Sequence, residues 1–562
     1  MARARRSPVN RRIRLLLALL LLVFAALLGR ATWLQGVRAG SLSQLAAKQH
    51  RVSVVLPAAR GTIFDRTGVQ LAIGEQATTV YADPRQVRDP RVVANAAART
   101  LGVDADSLVE QLRDTKSTFV YIARKADPEK AALLEKRGLA GVGFYPEERR
   151  FYPQGSVASH VLGYAGVDNR GLAGLELQLD TKIAGKPGRE TRVIDALGHA
   201  IDVFDERPAR DGRSVRLTID HTIQANAEAV LRQTLTKWQA KGATAVVLDP
   251  RTGNILAMAN APGFDANAFG TTPPAVTRNR AVTDVYEPGS TFKLVTVAGV
   301  LADRLVMPQT AFTLPPTINV ADRVIHDAEE RGTETMSVAR ILAQSSNVGA
   351  ITLAEKLGPT RLYQWMRRFG FGAVTGLGFP SESAGFVLKP DEWSGSTIGN
   401  VPIGQGVAVT AVQMAAAYAT IGNRGVWVQP HLVERVQGGK RVHARTRRVL
   451  RPAIAAELNA MLQNVVREGT GTLAAVAGYK VAGKTGTAQT PDERGGYSRG
   501  RYVASFVGMV PASRPRLVVL VMVDEPRGAI SGGVVAAPAF AQIAAYDLRY
   551  LEVPPDTREA RG

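Results

Sequence analysis

The 562-residue chain contains no cysteine. Disulfides, thiolate nucleophiles and Cys-based zinc or iron–sulfur sites are thereby excluded. Histidine is scarce, and the seven present (His50, His160, His199, His221, His326, His431 and His443) are scattered without metal-ligand spacing. Acidic residues are missing from a whole region: no Asp or Glu precedes Asp65, while eleven of the Lys and Arg residues lie in residues 1–64. Those eleven account for about half of the formal charge of +21, leaving +10 over the remaining 498 residues. No basic run interleaved with aromatics follows residue 64, so the charge does not describe a nucleic-acid surface. Internal repeats are lacking too. With 45% hydrophobic and 21% charged residues the chain is globular rather than disordered, and long enough for several domains.

What the acid-free head does contain is six arginines (Arg3, Arg5, Arg6, Arg11, Arg12, Arg14) ahead of LLLALLLLVFAALLG, Leu15–Gly29. Leu15 to Leu34 give about 20 residues, enough to cross a bilayer core as a helix. Arg30 can snorkel at the far end, and Trp33 stands where an interfacial aromatic belongs. Flanking arginines keep the N-terminus in the cytoplasm and place the rest of the chain outside it. Gly29-Arg30-Ala31 is a poor cleavage site, which favours a retained anchor over a removed signal peptide. The expected organisation is a basic cytoplasmic segment at 1–14 and a transmembrane anchor at 15–35. A non-catalytic domain follows at 36–215, then a catalytic domain at 216–552 and a tail at 553–562.

Residues 36–215 mix short β-like runs with Gly/Pro-punctuated loops and offer no nucleophile–base pair. From Val215 the texture changes. LTIDHTIQANAEAVLRQTL passes from strand to helical spacing, and TAVVLDPRTGNILAMAN reads as a hairpin. Long apolar helices are expected at Thr291–Leu301, Val338–Lys356, Thr410–Ile421 and Ile454–Val466, with strands again in VASFVGMVP and LVVLVMVDEP. Strands first, helices in the middle and strands last predict one α+β domain whose central antiparallel sheet joins both ends.

Three short motifs carry chemistry. In YEPGSTFKLVTVAGVL (Tyr286–Leu301), Pro288-Gly289 turns the chain and Ser290 opens a helix with Lys293 three residues on, on the same face. That helix is apolar nearly all round, so Lys293 is drawn into low dielectric and its pKa falls; a desolvated amine beside a hydroxyl is a Ser–Lys nucleophile pair. In ILAQSSNVGAITLAEKLG, Ser345 and Asn347 stand in an apolar helical neighbourhood where unpaired polar groups are costly. Ser345 can relay a proton to a leaving group, and Asn347 can hold Lys293 and a substrate carbonyl. In GYKVAGKTGTAQ (Gly478–Gln489), Lys484 supplies positive potential for a carboxylate, and Thr485 or Thr487 can donate to it. Gly486 would let a peptide approach the strand edge. The N–H groups of Ser290 and Thr487 are candidates for an oxyanion hole.

Three decoys accompany them. Gly478, Gly483, Lys484 and Thr485 satisfy the phosphate-cradling pattern G-x-x-x-x-G-K-[ST], but Gly486, Pro491 and Gly495-Gly496 forbid the helix that must follow it. Gly496-Tyr497-Ser498-Arg499-Gly500 matches G-x-S-x-G, in what reads as a polar loop. Gly370, Gly372 and Gly376 form G-x-G-x-x-x-G, one residue too long for a dinucleotide fingerprint.

The set S-x-x-K, S-x-N and K-T-G, in that order behind an N-terminal anchor, resembles the class B penicillin-binding proteins, monofunctional peptidoglycan D,D-transpeptidases. RGTIFDRTGVQLA, FYPQGSVASHVLGYAG and GLAGLELQLD resemble that family's pedestal, while VVLDPRTGNILAMAN and IGQGVAVTAVQMAAAYATIGN resemble its transpeptidase domain. EPGSTFK, SSNVG and DEPRGAISGGVVAAPAF resemble the cell-division (FtsI-type) branch; an elongation-type enzyme is the alternative. The resemblance implies that Ser290 attacks the penultimate D-Ala carbonyl of a stem peptide with Lys293 as base. The terminal D-Ala leaves, and a neighbouring stem amine resolves the acyl-enzyme into a crosslink. β-Lactams would acylate the same serine. It implies neither metal nor cofactor, a location in the inner membrane with the catalytic domain in the periplasm, and partnership with an FtsW-like glycan polymerase. In a class A β-lactamase a deacylating Glu would stand where this chain has Ala455. A division scaffold or β-lactam sensor with the same fold and a vestigial site is the non-enzymatic alternative.

Overall fold

The computed structural model describes residues 8–40, 51–194, 200–492 and 496–557. Arg3, Arg5, Arg6 and residues 558–562 lie outside this set. The described chain forms two compact units, one of Met1–Ala58 with Lys186–Asp211, the other of Ala59–Gly185 with Gly212–Gly562. The segment 36–215 is thus divided between them.

The first unit opens with helix α1, Pro8–Thr32. Arg11–Val37 is long and apolar enough to cross a membrane, with a mean hydropathy of 2.4. Its leucines are exposed all round, Leu20 by 70%; a helix apolar on every side and covered by no protein suits lipid. The unit also holds a three-stranded antiparallel sheet, with Gly188–Ile194 between Arg51–Leu56 and Ala200–Arg207.

In the second unit, the strand Gln70–Ala82 pairs antiparallel with Val120–Ala126 on one side and Val142–Phe151 on the other. Its helix-covered face buries Val80, Ala82, Leu108, Leu112, Ile122 and Leu134. A buried ion network ties the neighbouring segments together. Arg60 donates to Glu176 through Nε (2.7 Å) and to Asp180 through Nη1 (2.7 Å), while Arg150 Nε donates to the other oxygen of Glu176 (2.7 Å). Three separate sequence segments, at 60, 150 and 176–180, are thereby explained by a single knot of charge.

The larger part is a five-stranded antiparallel sheet sandwiched between helices. Its strands are β1 (Gly242–Leu248), β2 (Ile255–Ala261), β3 (Ala482–Pro491), β4 (Tyr497–Val510) and β5 (Leu517–Asp524), in the order β2-β1-β5-β4-β3. Both ends of the domain meet in this sheet, as the pattern of strands predicted. The helices that matter are α2 (His221–Trp238), α3 (Lys293–Ala302), α4 (Asn347–Leu357), α5 (Ala411–Gly422), α6 (Pro452–Arg467) and α7 (Ala537–Tyr550). Side chains alternate across β5: Leu517, Val519, Val521 and Val523 join the core of α2 and α7, whereas Val518, Leu520 and Met522 join that of α3, α5 and α6. A strand covered on both faces has no polar side, which is why LVVLVMV reads as unbroken apolar sequence. Every residue of α5 is buried, and its alanines allow close packing on the sheet.

Two expectations are corrected. Val338–Lys356 is two helices, because Ser345 adopts φ +60° and Ser346 caps α4 by accepting from Gly349 N. Gly496–Gly500 is not a loop, since Tyr497 already begins β4; Ser498 is buried there and accepts from Arg501 at 2.7 Å.

Candidate active site

Ser290 stands on a short 3₁₀ turn, Gly289–Phe292, that runs directly into α3. The sequence suggested an α-helical first turn. The tighter turn eclipses positions i and i+3, so it stacks Ser290 over Lys293 more directly. Glycines wedge this turn in place. Gly289 (φ +54°) donates from N to Gly404 O at 3.1 Å, and a Cβ on Gly404 would lie 2.1 Å from Gly289 O. On the opposite side a Cβ on Gly289 would lie 2.7 Å from Thr487 O. The turn is therefore pressed between the Gly404 loop and β3. Phe292 is fully buried behind it, and the Tyr418 hydroxyl of α5 donates to Thr291 O at 2.9 Å.

Lys293 is 1% exposed. Its Nζ donates to Asn347 Oδ1 at 2.8 Å, to Ser345 O at 2.5 Å and to Ser345 Oγ at 3.3 Å. Lys484, wholly buried on β3, donates from Nζ to Ser345 Oγ at 2.9 Å and to Thr485 Oγ1 at 3.2 Å. Two amines from distant segments thus converge on one hydroxyl. Lys484 takes one lone pair of this hydroxyl, and Lys293 Nζ lies 3.3 Å from it. Burial, and then the neighbouring Lys484, push Lys293 well below the usual lysine range, against a weaker opposing pull from Asp327. Burial alone lowers Lys484 to about 7. An amine pushed toward its neutral form one turn from a serine, next to a second amine that charges near neutrality, suits proton transfer and anion binding in the same site.

The Ser345–Asn347 turn is itself held by a group the sequence reading missed. Asp327 is 4% exposed and accepts from Ser346 Oγ (3.0 Å), from Val348 N (3.0 Å) and from Asn347 N, while pairing with Arg331. Asn347 Nδ2 donates to His326 O at 3.0 Å, so its Oδ1 is aimed at Lys293. Asp327 lies in a polar stretch, IHDAEERG, with no local signal that singles it out.

Ser290, Ser345, Asn347, Thr485 and Thr487 line one cavity of about 450 Å³ together with Arg331 and Thr470. Of the expected site residues, Lys293 and Lys484 do not line it; they sit behind this wall, bonded to Ser345, Asn347 and Thr485. Thr485 Oγ1 is bonded to Thr470 Oγ1 at 2.7 Å, and Thr487 Oγ1 accepts from Gly532 N at 3.2 Å. Gly486 needs correction: it is not open for a peptide to approach. A Cβ there would meet Ser505 Oγ at 2.4 Å and Pro288 O at 2.8 Å, so its bareness lets the nucleophile turn pack on β3. Among the described residues no further strand pairs with the free edge of β3. Lys484 and Thr485 lie within β3 with no helix after them, which disposes of the phosphate-loop reading. Among the described residues, Asp65, Asp220 and His221 offer ligand atoms within 4.8 Å of one another, but Asp65 already accepts from His221 Nδ1 (2.7 Å), and Asp220 caps α2.

A serine at a helix start, a desolvated lysine below it, a hydroxyl shared by two amines and a strand bearing Lys-Thr-Gly define the serine acyltransferases of the penicillin-binding type. Comparison with known proteins agrees. Residues 243–545 match the penicillin binding protein transpeptidase domain, and residues 55–217 the penicillin-binding protein dimerisation domain. The peptidoglycan D,D-transpeptidase FtsI of Escherichia coli K12 is 33% identical, covering 98% of this chain and 93% of that protein. Penicillin-binding protein PbpB of Mycolicibacterium smegmatis is 35% identical, covering 93% and 87%. The crystal structure of penicillin binding protein 3 from Mycobacterium tuberculosis, complexed with aztreonam, aligns at a TM-score of 0.71 with 32% identity, covering 90% of this chain and 98% of that one. The chain belongs to the penicillin-binding protein transpeptidase family.

Proposed function

We propose that the chain is a peptidoglycan D,D-transpeptidase working through a Ser290 acyl-enzyme. The observation that carries this reading is Lys293, buried one 3₁₀ turn below Ser290 and bonded to both Ser345 and Asn347. Ser290 Oγ attacks the penultimate D-Ala carbonyl of a donor stem peptide, and its proton passes to the neutral Lys293 amine. The N–H groups of Ser290 and Thr487, on segments pressed together at Gly289, stabilise the oxyanion. The C–N bond to the terminal D-Ala breaks, and the leaving amine takes its proton through Ser345. An acceptor amine then attacks the ester, expels Ser290 and forms the crosslink. Thr485 and Thr487 hold the terminal carboxylate, with Lys484 behind them as its counter-charge. A β-lactam enters the same path and stops at the ester.

The N-terminal helix anchors the chain in the cytoplasmic membrane. Residues 36–215 form a pedestal and 216–552 the transpeptidase part, both on the periplasmic side. Crosslinking at the division septum, beside an FtsW-like glycan polymerase, is supported by the full-length similarity to FtsI.

Membranes containing the wild-type chain or Ser290→Ala, treated with a fluorescent penicillin, test the reaction. Labelling of wild type and its loss in the variant are expected. An unlabelled wild type removes the transpeptidase reading, and an equally labelled Ser290→Ala removes this nucleophile.

A further inference from the structure

The glycines of Gly370-Phe371-Gly372-Ala373-Val374-Thr375-Gly376 fit no nucleotide fingerprint, and acyl transfer makes no use of them. They follow the helix Pro359–Phe369 and all take positive φ, at +101°, +75° and +84°. Each faces a different arginine. A Cβ on Gly370 would stand 3.1 Å from Arg447 Nη2, on Gly372 2.5 Å from Arg367 Nη1, and on Gly376 2.8 Å from Arg445 Nη2. The bare backbone of this loop is the seat on which three guanidinium groups rest.

Among the described residues no carboxylate pairs with them: Arg367, Arg445 and Arg447 make no ion pair, whereas Arg60, Arg280 and Arg331 are all paired with carboxylates. Neutral oxygens hold the three instead. Arg367 Nη1 donates to Phe371 O at 2.9 Å, Arg445 Nε to Gln429 Oε1 at 2.9 Å, and Arg447 Nη1 to Arg368 O. Arg447 also lies over the Trp427 ring at 4.4 Å. Glu382, the carboxylate bonded to this loop, is engaged by Thr375 through N (2.7 Å) and Oγ1 (2.5 Å). The exposed guanidinium groups are thus fixed in direction, and among the described residues their remaining N–H donors meet no carboxylate.

All three line one cavity of about 430 Å³, with Phe369, Val374 and Trp427 as its apolar wall. Three positive groups around one cavity raise its potential, and an anion placed among them can accept their outward-facing donors. Arginine forks match oxyanions that offer paired oxygens, and three of them exceed what the single charge and two oxygens of a carboxylate can satisfy. We propose that this cavity is a binding site for a phosphate group carried on a ligand small enough to lay its remainder against the Trp427 wall. A phospholipid headgroup and a soluble phosphate ester present the same chemistry to it.

The test uses the full chain in neutral detergent. It is titrated with inorganic pyrophosphate, with dihexanoyl phosphatidylglycerol below its micelle concentration, and with dihexanoyl phosphatidylcholine as a zwitterionic control. Calorimetry and Trp fluorescence are the readouts. Saturable binding of at least one of the two anions is expected, weaker as salt is raised. It should also fall by about tenfold or more in Arg445→Ala/Arg447→Ala, as expected for the loss of two charge-assisted contacts. Tighter binding of pyrophosphate identifies a soluble ester, and tighter binding of the glycerol lipid identifies a headgroup. Circular dichroism melts establish that the variant folds, and Arg445→Gln/Arg447→Gln replaces it if it does not. The site is overturned if neither anion binds, if the folded variant binds as wild type does, or if phosphatidylcholine binds as well as the anions.

Discussion

Lys293 and Lys484 share the hydroxyl of Ser345, yet the chemistry asks different things of them. In the proposed reaction Lys293 takes a proton in its neutral form, and burial shifts it in that direction. Lys484 is useful to a carboxylate only while charged, and at about 7 it stands at the point of losing that charge. The acylation rate with a β-lactam should therefore fall above neutrality as Lys484 discharges. A rate–pH profile from 5.5 to 9.5 checks this, and a rate still rising steadily at high pH contradicts it. Stability carries a second signature. The unfolded chain keeps the Lys484 proton up to its ordinary 10.5, the folded chain only to about 7. Between those values the unfolded state binds more protons, so this site makes folding more favourable as pH rises; below about 7 the full cost of the buried charge is felt. Replacing Lys484 by Met removes the titration. The Tm of Lys484→Met minus that of wild type should be most positive near pH 6.5 and decline toward pH 10, measured by scanning calorimetry.

The break between Val338–Ala343 and α4 shows where the sequence stopped being readable. Apolar spacing runs through Ser345 without interruption, so it predicted one helix. The left-handed φ of Ser345 and the cap at Ser346 depend on Asp327, which comes from a different hairpin and leaves no periodic trace. The strands of the central sheet and the Ser290, Ser345 and Lys484 motifs were legible, because burial on both faces and fixed short spacings are local properties. Gly486 was misread for the opposite reason: its neighbours Pro288 and Ser505 are distant in sequence, so only the fold shows what fills the space beside it. The Asp327 contacts make a firm expectation. In Asp327→Ala, Ser346 Oγ and the N–H groups at the start of α4 lose their acceptor, and Arg331 loses its partner. A loss of about 1–3 kcal/mol in stability follows from the unmet donors. Acylation should slow by at least about tenfold, the equivalent of 1.4 kcal/mol in the barrier, as Asn347 drifts from Lys293. Urea unfolding and penicillin-labelling kinetics measure the two effects; a normal acylation rate in a destabilised variant would show that Asp327 does not position the site.

All residues of the candidate site, from Ser290 to Gly532, belong to the unit that excludes α1. Removing residues 1–40 is therefore expected to move the protein from the membrane fraction to the soluble one without loss of penicillin labelling, checked by fractionation followed by in-gel fluorescence. The order β2-β1-β5-β4-β3 has another side to it, because it seats the earliest strands of the domain beside the latest. A ribosome delivers β1, β2 and Ser290 long before it delivers β3, β4 and β5, and until then β1 has an open edge and Ser290 faces no wall. Pairings this distant in sequence close slowly and late. The cavity is consequently completed last, and an interrupted product, even one bearing Ser290, Lys293, Ser345 and Asn347, lacks the β3 wall that carries Lys484 and Thr485. The sheet works as a check that the whole message has been read.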